Sequence, residues 1–136
     1  MNNCIFCKIV DGEIPSSKIY EDGEVLAFLD IHPVNPGHVL VIPKAHYENF
    51  ISSPDEISGK LLAVAKKIGL AVMVATQSSG FNLSTANGAA AGQEVMHLHF
   101  HIIPRKDRAE HQPWNQGVYA PSEAQKVAAA IKELLQ

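Results

Sequence analysis

The stretch from His97 to Arg105 reads HLHFHIIPR, in which histidine alternates with large apolar residues over the first five positions. Successive side chains of a β-strand point to opposite faces, so this period of two predicts a strand over residues 95–103. On such a strand His97, His99 and His101 share one face, and the apolar residues between them face a core. The pattern therefore predicts a sheet with one apolar face and one face that carries a row of three imidazoles.

Local signals place a hairpin and a helix before this strand. Asp22-Gly23 is a turn signal between two apolar runs and predicts a β-hairpin. Ser53 as N-cap and Pro54 as first helical residue open a segment with apolar residues at helical spacing, which predicts a long helix to about Thr76. The strands expected besides the histidine strand are residues 18–21, 25–29, 38–42 and 81–85.

Proline and serine mark the ends of two further elements. Pro43 is expected to stop the strand at 38–42, because proline lacks the N–H that a sheet ladder needs. Ser122, with Gln125 three residues later, predicts the start of a short C-terminal helix. The apolar stripe of that helix comprises Val127, Ile131 and Leu134. Together these elements predict an α+β fold with a mostly antiparallel five-stranded sheet, one long helix and the short C-terminal helix.

Composition excludes several classes of protein. With 136 residues, of which 46% are hydrophobic and 18% charged, the chain is expected to form one domain, residues 1–136. A net charge of −3 predicts no broad basic surface for nucleic acid or an anionic membrane. The N-terminus has no apolar signal segment, and the apolar run from Leu61 to Thr76 is interrupted by Lys66 and Lys67. We therefore expect a cytoplasmic protein without a disulfide framework.

The row of three histidines suits more than one kind of chemistry. Next-but-one residues on a strand lie about 6.6 Å apart, so a phosphorus group fits beside the middle imidazole while a neighbour reaches its oxygens. Imidazole, with a pKa of about 6.5, is mostly neutral and nucleophilic at pH 7. Three co-facial histidines also chelate transition metals, and a solvated strand is a third interpretation. From the triplet alone all three interpretations stay open.

Neighbouring features favour phosphate chemistry. The loop GAAAGQ at residues 88–93 precedes the triplet, and its small residues allow backbone N–H groups to approach phosphate oxygens. His38 opens a strand directly after Gly37 and is expected to join the row from that neighbouring strand. His32 and His111 lie in loop contexts, where we expect them at the surface.

Cys4 and Cys7 are the only cysteines and are spaced C-x-x-C. This is the spacing of two thiolate ligands of a tetrahedral zinc, and also that of a reduced pair packed near the N-terminus. The pair by itself leaves both interpretations open.

The pattern H-φ-H-φ-H-φ-φ, with φ an apolar residue, resembles the signature of the histidine triad (HIT) family of nucleotide hydrolases and transferases. Residues 4–46, CIFCKIVDGEIP…LAFLDIHPVNPGHVLVIPKAH, resemble the N-terminal half of bacterial members of the Hint and Fhit-like branches. GQEVMHLHFHIIPR resembles their active-site strand. The resemblance covers the chain to about Arg105, beyond which the similarity is loose, and it implies the HIT-like fold.

The resemblance implies a nucleotide site centred on the middle histidine. His99 is expected to attack the α-phosphorus and to become transiently nucleotidylated. His101 is expected to contact the phosphate and the leaving group, His38 to support the site, and His97 to complete the catalytic set. The expected nucleotide-binding residues are Asp30 and Ile31 at the ribose, Ile5, Phe6, Ile9 and Phe28 around the base, and Asn87, Gly92, Gln93 and Glu94 in the phosphate loop.

The sequence departs from the family pattern at two positions near the loop. Many bacterial relatives carry Asn-Asn-Gly where this chain has Ala86-Asn87-Gly88, so only Asn87 corresponds. Some members have serine or threonine at the position of Glu94, and a carboxylate there is expected to alter phosphate affinity or leaving-group preference. The third histidine is retained where the uridylyltransferase branch has glutamine, which favours water as the acceptor and hence hydrolysis.

The resemblance also implies a structural zinc. In several relatives with the N-terminal cysteine pair, the metal is held by both cysteines, the histidine that ends the P-K-x-H segment and the first histidine of the triad. Here these residues are Cys4, Cys7, His46 and His97. Such a closed site pins the N-terminus to the catalytic strand, and no cofactor is expected in catalysis.

The expected function is hydrolysis of purine nucleoside phosphoramidates or dinucleoside polyphosphates at the α-phosphate. We expect a homodimer, because an antiparallel sheet has edges to cover, and no nucleic-acid or membrane partner. Two alternatives are a nucleotide-binding regulatory protein with incidental hydrolase activity and a histidine-site metalloenzyme.

Overall fold

A computed structural model describes residues 3–108 and 116–136. Its helices are α1 (Ile5–Val10), α2 (Asp55–Thr76) and α3 (Glu123–Leu135), and a 3-10 turn spans Ala89–Ala91. Its strands are β1 (Lys18–Glu21), β2 (Val25–Leu29), β3 (Val39–Pro43), β4 (Gly80–Ser84) and β5 (Phe100–Arg105). The strands form one sheet in the order β1-β2-β3-β5-β4, and every neighbouring pair is antiparallel. The predicted α+β fold with a five-stranded antiparallel sheet is confirmed.

The two faces of the sheet are covered by different helices. On one face α2 and α3 pack over a core that takes in Val39 and Val41 of β3. On the other face the short helix α1 packs over the alternate residues of the same strand, Leu40 and Ile42. The histidine face is therefore not fully open to solvent. Part of it is closed by α1, which leaves room for a pocket beside the imidazoles.

The histidine segment enters the sheet later than its pattern predicts. β5 begins at Phe100 instead of residue 95, so of the three histidines only His101 lies in the ladder. Before that point the backbone bonds to loops: the Thr85 hydroxyl donates to the carbonyl of His99 over 2.7 Å. The apolar residues between the histidines nevertheless lie in the core beneath α2, as the alternation predicts.

The predicted ends of three elements are wrong by one residue. Pro43 belongs to β3 as its last residue, since at a strand end the missing N–H need not break the ladder. α2 begins at Asp55 with Pro54 as its N-cap. The Ser53 hydroxyl donates to the carbonyl of Phe50 over 2.8 Å and caps nothing. β4 likewise starts and ends one residue earlier than predicted.

The terminal helices also differ from the prediction. Ser122 precedes α3 in a left-handed conformation, with φ of 70°, and its side chain makes no capping bond. Within the expected stripe Ile131 is buried but Leu134 is 48% exposed, and Ala128 takes its place in the core. The sequence pattern does not predict α1, because six residues are too few to show a helical period.

Gly37 sets the entry of β3. It has φ of +95°, and a Cβ built there would lie 2.6 Å from Cγ2 of Thr76 at the end of α2. Glycine is required on both counts, because L side chains rarely adopt this φ and no space exists for one. The tight passage places His38 immediately before β3, which begins at Val39, one residue later than predicted. None of the helices in residues 3–108 and 116–136 is long and apolar enough to cross a membrane.

Candidate active site

A pocket of about 810 Å³ lies beside the histidine segment, between α1 and the loop that precedes β5. Its apolar wall is formed mainly by Ile5, Phe6, Ile9, Ile14, Phe28 and Leu40. The rings of Phe6 and Phe28 meet edge to face with centroids 5.7 Å apart. The ionisable groups that line the pocket are Asp30, His32, Glu94, His99 and His101. The site thus combines an apolar chamber with a row of polar groups along one side.

His99 is held in one tautomer by its own chain. Its Nδ1 lies 2.7 Å from the carbonyl oxygen of His97, so Nδ1–H donates there and the lone pair is left on Nε2. The ring is 9% exposed, and the edge of Phe6 packs against it with centroids 5.1 Å apart. A buried, oriented imidazole with an available Nε2 lone pair can act as a nucleophile.

His38 and His101 form a second pair with a defined proton direction. The backbone N–H of Val34 donates to Nδ1 of His38 over 3.0 Å, so His38 carries its proton on Nε2. That Nε2–H donates to Nδ1 of His101 over 2.9 Å. His101 therefore carries its own proton on Nε2, where it can be given to an oxygen or nitrogen of a ligand.

Burial keeps these imidazoles neutral. It lowers the pKa of His38 to about 3, with a smaller contribution from His101. It lowers the pKa of His101 to about 4, with a contribution from His99. Burial also lowers the pKa of His99, against the opposing effects of the His97 carbonyl and the carboxylate of Asp30. At pH 7 the pocket therefore presents a nucleophile and a neutral hydrogen-bond donor instead of cations.

Asp30 directly follows the last residue of β2 and lines the pocket. Its Oδ1 accepts the N–H of His32 over 2.8 Å, and its Oδ2 lies 3.7 Å from Nε2 of His38. Burial raises the pKa of Asp30, opposed by the hydrogen bond and the charge of His32 and by the charge of His99. A partly buried carboxylate with a free lone pair is a suitable acceptor for hydroxyl groups of a sugar.

The loop before the histidines is braced by side chains that were expected to bind nucleotide. The Gln93 amide donates to the carbonyl of Glu48 over 2.6 Å and accepts the N–H of Gly88 over 2.8 Å. Oδ1 of Asn87 accepts the N–H of Phe50 over 2.9 Å. Gln93 and Asn87 therefore hold the loop in shape, and neither is among the described residues that line the pocket.

Two backbone N–H groups of this loop, which was expected to meet phosphate, bond within the loop itself. The N–H of Gly92 donates to the carbonyl of Ala89 over 3.0 Å, and the N–H of Gln93 donates to Gly88 over 3.1 Å. These two N–H groups close the turn around the 3-10 segment. Gly92 and Glu94 still line the pocket, the latter through an exposed side chain.

Most other predicted residues lie where the sequence analysis expects them. Ile5, Phe6, Ile9, Phe28, Asp30 and Ile31 all line the pocket, with Ile31 at the rim and 73% exposed. His32 is exposed as predicted, yet it also lies at the pocket mouth. His111 lies outside the described residues.

The sequence analysis missed a group of pocket residues that come from distant segments. Ser84 and Thr85 reach the pocket because β4 pairs Ser84 with His101. Gln116, from the segment before α3, also lines it. Its neighbour Gly117 is tied to the carbonyl of Pro33 by a 2.8 Å hydrogen bond. No local pattern marks these residues, because their position depends on strand register and chain return.

His97 belongs to a different cluster from the other two histidines. Its Nε2–H donates to the carbonyl of Pro43 over 2.9 Å, which leaves the lone pair on Nδ1. Nδ1 lies 3.3 Å from Sγ of Cys4 and 3.6 Å from Sγ of Cys7. Nδ1 of His46 lies 3.4 Å from Sγ of Cys7. The imidazole of His97 thus turns toward the cysteines, and its backbone carbonyl accepts the Nδ1–H of His99.

The four ligand atoms of this cluster fit a tetrahedral metal. All lie within 4.8 Å of one another. With bonds of about 2.3 Å to sulfur and about 2.0 Å to nitrogen, a tetrahedral zinc separates sulfur and nitrogen by about 3.5 Å, which matches the spacing found here. Burial and the neighbouring Cys4 raise the pKa of Cys7 to about 11, so without a cation the second thiol stays protonated. A divalent ion supplies the charge that two thiolates need.

A second set of potential ligands, Asp30, His38 and His101, is better explained by hydrogen bonding. The nitrogens of His38 and His101 are 2.9 Å apart, closer than the roughly 3.3 Å between two nitrogens on one tetrahedral metal. The Val34 N–H also directs the His38 proton into this contact. This geometry argues against a catalytic metal at the histidine row.

Fold and site together define a small α+β protein that presents an oriented, neutral histidine at an apolar pocket, with a Cys₂His₂ cluster behind it. The chain belongs to the HIT family, since residues 11–108 match the HIT domain. A crystal structure of a zinc-bound histidine triad family protein from Mycobacterium smegmatis is similar, with a TM-score of 0.86 and 32% identity over 98% of this chain and 94% of that one.

Curated relatives extend the similarity. The Protein hit of Bacillus subtilis is 43% identical over 98% of this chain and 94% of its own length. The adenosine 5'-monophosphoramidase HNT1 of Candida albicans is 41% identical over 90% of this chain and 80% of its own length. The adenylylsulfatase HINT3 of Arabidopsis thaliana is 47% identical over 79% of this chain and 54% of its own length.

Proposed function

We propose that this protein hydrolyses nucleotides at the α-phosphate through a nucleotidyl-histidine intermediate. The observation that carries the proposal is the 2.7 Å bond from Nδ1 of His99 to the His97 carbonyl. It leaves the Nε2 lone pair of a neutral, buried imidazole as the nucleophile at the pocket. Oriented nucleophiles of this kind need no metal to attack phosphorus.

The reaction consists of two displacements. Nε2 of His99 forms a bond to the α-phosphorus while the bond from phosphorus to the leaving group breaks. The departing oxygen or nitrogen takes the bonding electron pair and receives the Nε2 proton of His101. Water then attacks the phosphorus and gives one proton back to Nε2 of His101, the phosphorus–nitrogen bond to His99 breaks, and the nucleoside monophosphate leaves. His38 positions the proton of His101 and does not touch the substrate.

The pocket supports a purine nucleotide as substrate. The apolar wall around Phe6 and Phe28 suits a flat base, and Asp30 is placed to accept from ribose hydroxyls. Phosphoramidates, dinucleoside polyphosphates and mixed anhydrides all carry an α-phosphorus within reach of such a nucleophile. The similarity to a monophosphoramidase and to an adenylylsulfatase supports hydrolysis of adenylyl compounds, in which the leaving group is an amine or sulfate.

The covalent intermediate provides the test. Reactions with adenosine 5'-phosphoramidate are quenched rapidly and without acid. Mass spectrometry is expected to find the adenylyl adduct on His99. His99→Ala should abolish turnover while AMP binding persists, because the base wall and Asp30 are unchanged. His32→Ala is the matched histidine variant at the pocket mouth, and its adduct should still map to His99. An adduct elsewhere, or near-full activity of His99→Ala, would refute the mechanism.

Two alternatives are separated by simple measurements. A histidine metalloenzyme predicts that activity is lost with a chelator and restored by metal while the fold stays intact. A nucleotide-binding regulatory protein predicts tight AMP binding without turnover. The hydrogen-bonded pair of His38 and His101 disfavours the first alternative, and the free Nε2 of His99 disfavours the second.

The proposal includes a structural zinc at the Cys₂His₂ cluster. Cys4, Cys7, His46 and His97 would hold it, and the observed spacing and the directed lone pair of His97 support that set. When bound, the ion supplies charge that keeps both thiols deprotonated and ties α1 to the segment before β5. No step of the reaction passes through it. Reduced thiols of this kind suit the cytoplasm, which we propose as the compartment.

The proposal also includes a homodimer, without nucleic-acid or membrane partners. β4 is an edge strand of the sheet, and Leu83 on it is 41% exposed. Leu70 and Val74, one helical turn apart on α2, are 60% and 63% exposed. An open edge and exposed apolar side chains of this kind favour self-association.

A further inference from the structure

The charge inside the pocket is unusual for a site that binds phosphate. Two carboxylates, Asp30 and Glu94, line it, and among the lining residues that the structure describes there is no lysine or arginine. Desolvation lowers the pKa of both His99 and His101, which also line it, so both imidazoles are neutral at pH 7. A ligand in this pocket therefore meets negative charge that no permanent protein cation balances.

The two carboxylates act on different parts of a bound substrate. Asp30 is partly buried, bonded to the N–H of His32, and lies near the inner end of the pocket beside His38. Glu94 is exposed, and no ion pair to it is present within residues 3–108 and 116–136. The charges of Asp30 and Glu94 interact across the pocket. Burial raises the pKa of Asp30, and the charge of Glu94 raises it further.

The side on which the leaving group departs decides which part of the substrate lies near Glu94. The base needs the apolar wall and the ribose needs Asp30, so both occupy the inner part of the pocket. Attack by the buried His99 is in line, and the group that departs must leave on the far side of phosphorus, toward solvent. Glu94 lines the same pocket and its side chain is exposed, so we place its carboxylate on that outward side.

We propose that Glu94 selects the leaving group by charge, so that the preferred substrates are nucleoside phosphoramidates whose amine portion carries a further cationic group. This inference rests on the proposed hydrolase function and deepens it. Leaving groups that carry carboxylate, sulfate or further phosphates are disfavoured by the same carboxylate. A unit charge roughly 6 Å from Glu94 in partly screened water changes kcat/KM by about threefold to tenfold.

The test uses three adenosine 5'-phosphoramidates with amine groups of similar length: N-(2-aminoethyl), N-propyl and N-(2-carboxyethyl). These amines differ in basicity as well as in charge. For each compound, kcat/KM is therefore compared between the wild-type protein and Glu94→Gln, because the intrinsic reactivity of a compound does not depend on the variant. Glu133→Gln, on the exposed face of α3, removes the same charge away from the pocket and is the matched control.

The ratio of kcat/KM for the cationic compound to that for the anionic compound is expected to fall about tenfold in Glu94→Gln. It should fall further in Glu94→Lys and stay at the wild-type value in Glu133→Gln. Salt should shrink the difference between wild type and Glu94→Gln, because exposed charges are screened.

Two outcomes overturn the inference in distinguishable ways. If all three compounds are hydrolysed and the charge ratio is the same within twofold in wild type and Glu94→Gln, leaving-group selection by Glu94 is wrong and the hydrolase function stands. If folded wild-type protein hydrolyses none of them and forms no adduct on His99, the proposed function fails, and this inference fails with it.

Discussion

Nε2 of His38 lies 2.9 Å from Nδ1 of His101, and the backbone decides which of the two carries the shared proton. The N–H of Val34 occupies the only other nitrogen of His38, so the proton must lie on Nε2 and be donated to His101. A side chain just before β3 thereby fixes the tautomer of a side chain on β5, and with it the donor that faces the leaving group.

Substitution of His38 is expected to act through His101. His38→Ala frees Nδ1 of His101, so its proton can move to the wrong nitrogen, and kcat should fall about 10- to 100-fold for poor leaving groups. Good leaving groups need little proton donation and should be affected far less. His38→Gln offers both an acceptor to Val34 and a donor to His101 and should restore part of the rate.

The comparison is made by measuring kcat over a series of adenylyl compounds whose leaving groups differ in pKa, with His101→Ala as the reference. His38→Ala should change the dependence of kcat on leaving-group pKa in the same sense as His101→Ala. Equal slowing of good and poor leaving groups would contradict a role for His38 in directing the proton.

The pH dependence should reflect the lowered pKa of His99. Burial lowers this pKa below the ordinary value of about 6.5, and the opposing effects of the His97 carbonyl and Asp30 do not restore it. Protonated His99 has no lone pair, so kcat/KM should be flat from pH 7 down to below 6.5 and then fall about tenfold per pH unit.

A substitution of Asp30 tests the direction in which its carboxylate shifts the pKa of His99. Its carboxylate favours the protonated form of His99, so Asp30→Asn should move the acid limb to still lower pH, in addition to raising KM. Glu13→Gln, at an exposed position, is the control and should leave the limb in place. A shift of the limb to higher pH in Asp30→Asn would show that another group controls it.

Removal of the metal should destabilise the fold more than it slows the chemistry. Cys7→Ser is expected to lower zinc content from about one ion per chain and to reduce the melting temperature, while residual turnover persists. The reason is that the cluster ties α1 to His97, whereas His99 and His101 lie outside it. His97→Ala should likewise act mainly on folding.

Metal analysis, melting curves and kcat/KM of protein purified without chelators check this prediction. Lys8→Ala, also on α1 but without a ligand atom in the cluster, is the matched control and should keep its zinc. Because the thiol of Cys7 has a pKa of about 11 in the absence of metal, it releases a proton when metal binds, and zinc affinity should rise with pH. Wild-type protein without zinc would refute the prediction.

The protein is expected to sediment as a homodimer at micromolar concentration. Leu83→Lys, at the exposed edge strand β4, should shift the mass toward that of one chain, since a charge on an edge strand opposes pairing. Lys132→Ala, an exposed site on α3, is the control. If the wild-type protein sediments with the mass of one chain at micromolar concentration, these surfaces do not pair and the homodimer is wrong.

Local sequence determined which faces the histidine segment presents. The alternation of histidine and apolar residues sends Leu98 and Phe100 to the core beneath α2, and this holds even where the segment has not yet joined the ladder. The same local reasoning located the strands β1 and β2, the long helix and the turn at Asp22-Gly23, because side-chain period and turn conformations depend only on neighbouring residues.

Only the tertiary structure separated His97 from the other two histidines. The pattern gives all three the same face, but the carbonyl of Pro43 turns His97 toward the cysteines. His99 instead packs against Phe6 of α1, and His101 pairs with Leu40 of β3. Likewise, the family resemblance places Gln93 in the phosphate loop, and only the fold shows that its amide lies 2.6 Å from the carbonyl of Glu48. The physical reason is range: a strand's period is fixed by its own backbone, whereas a ring's tautomer, burial and partners are fixed by segments that lie dozens of residues away.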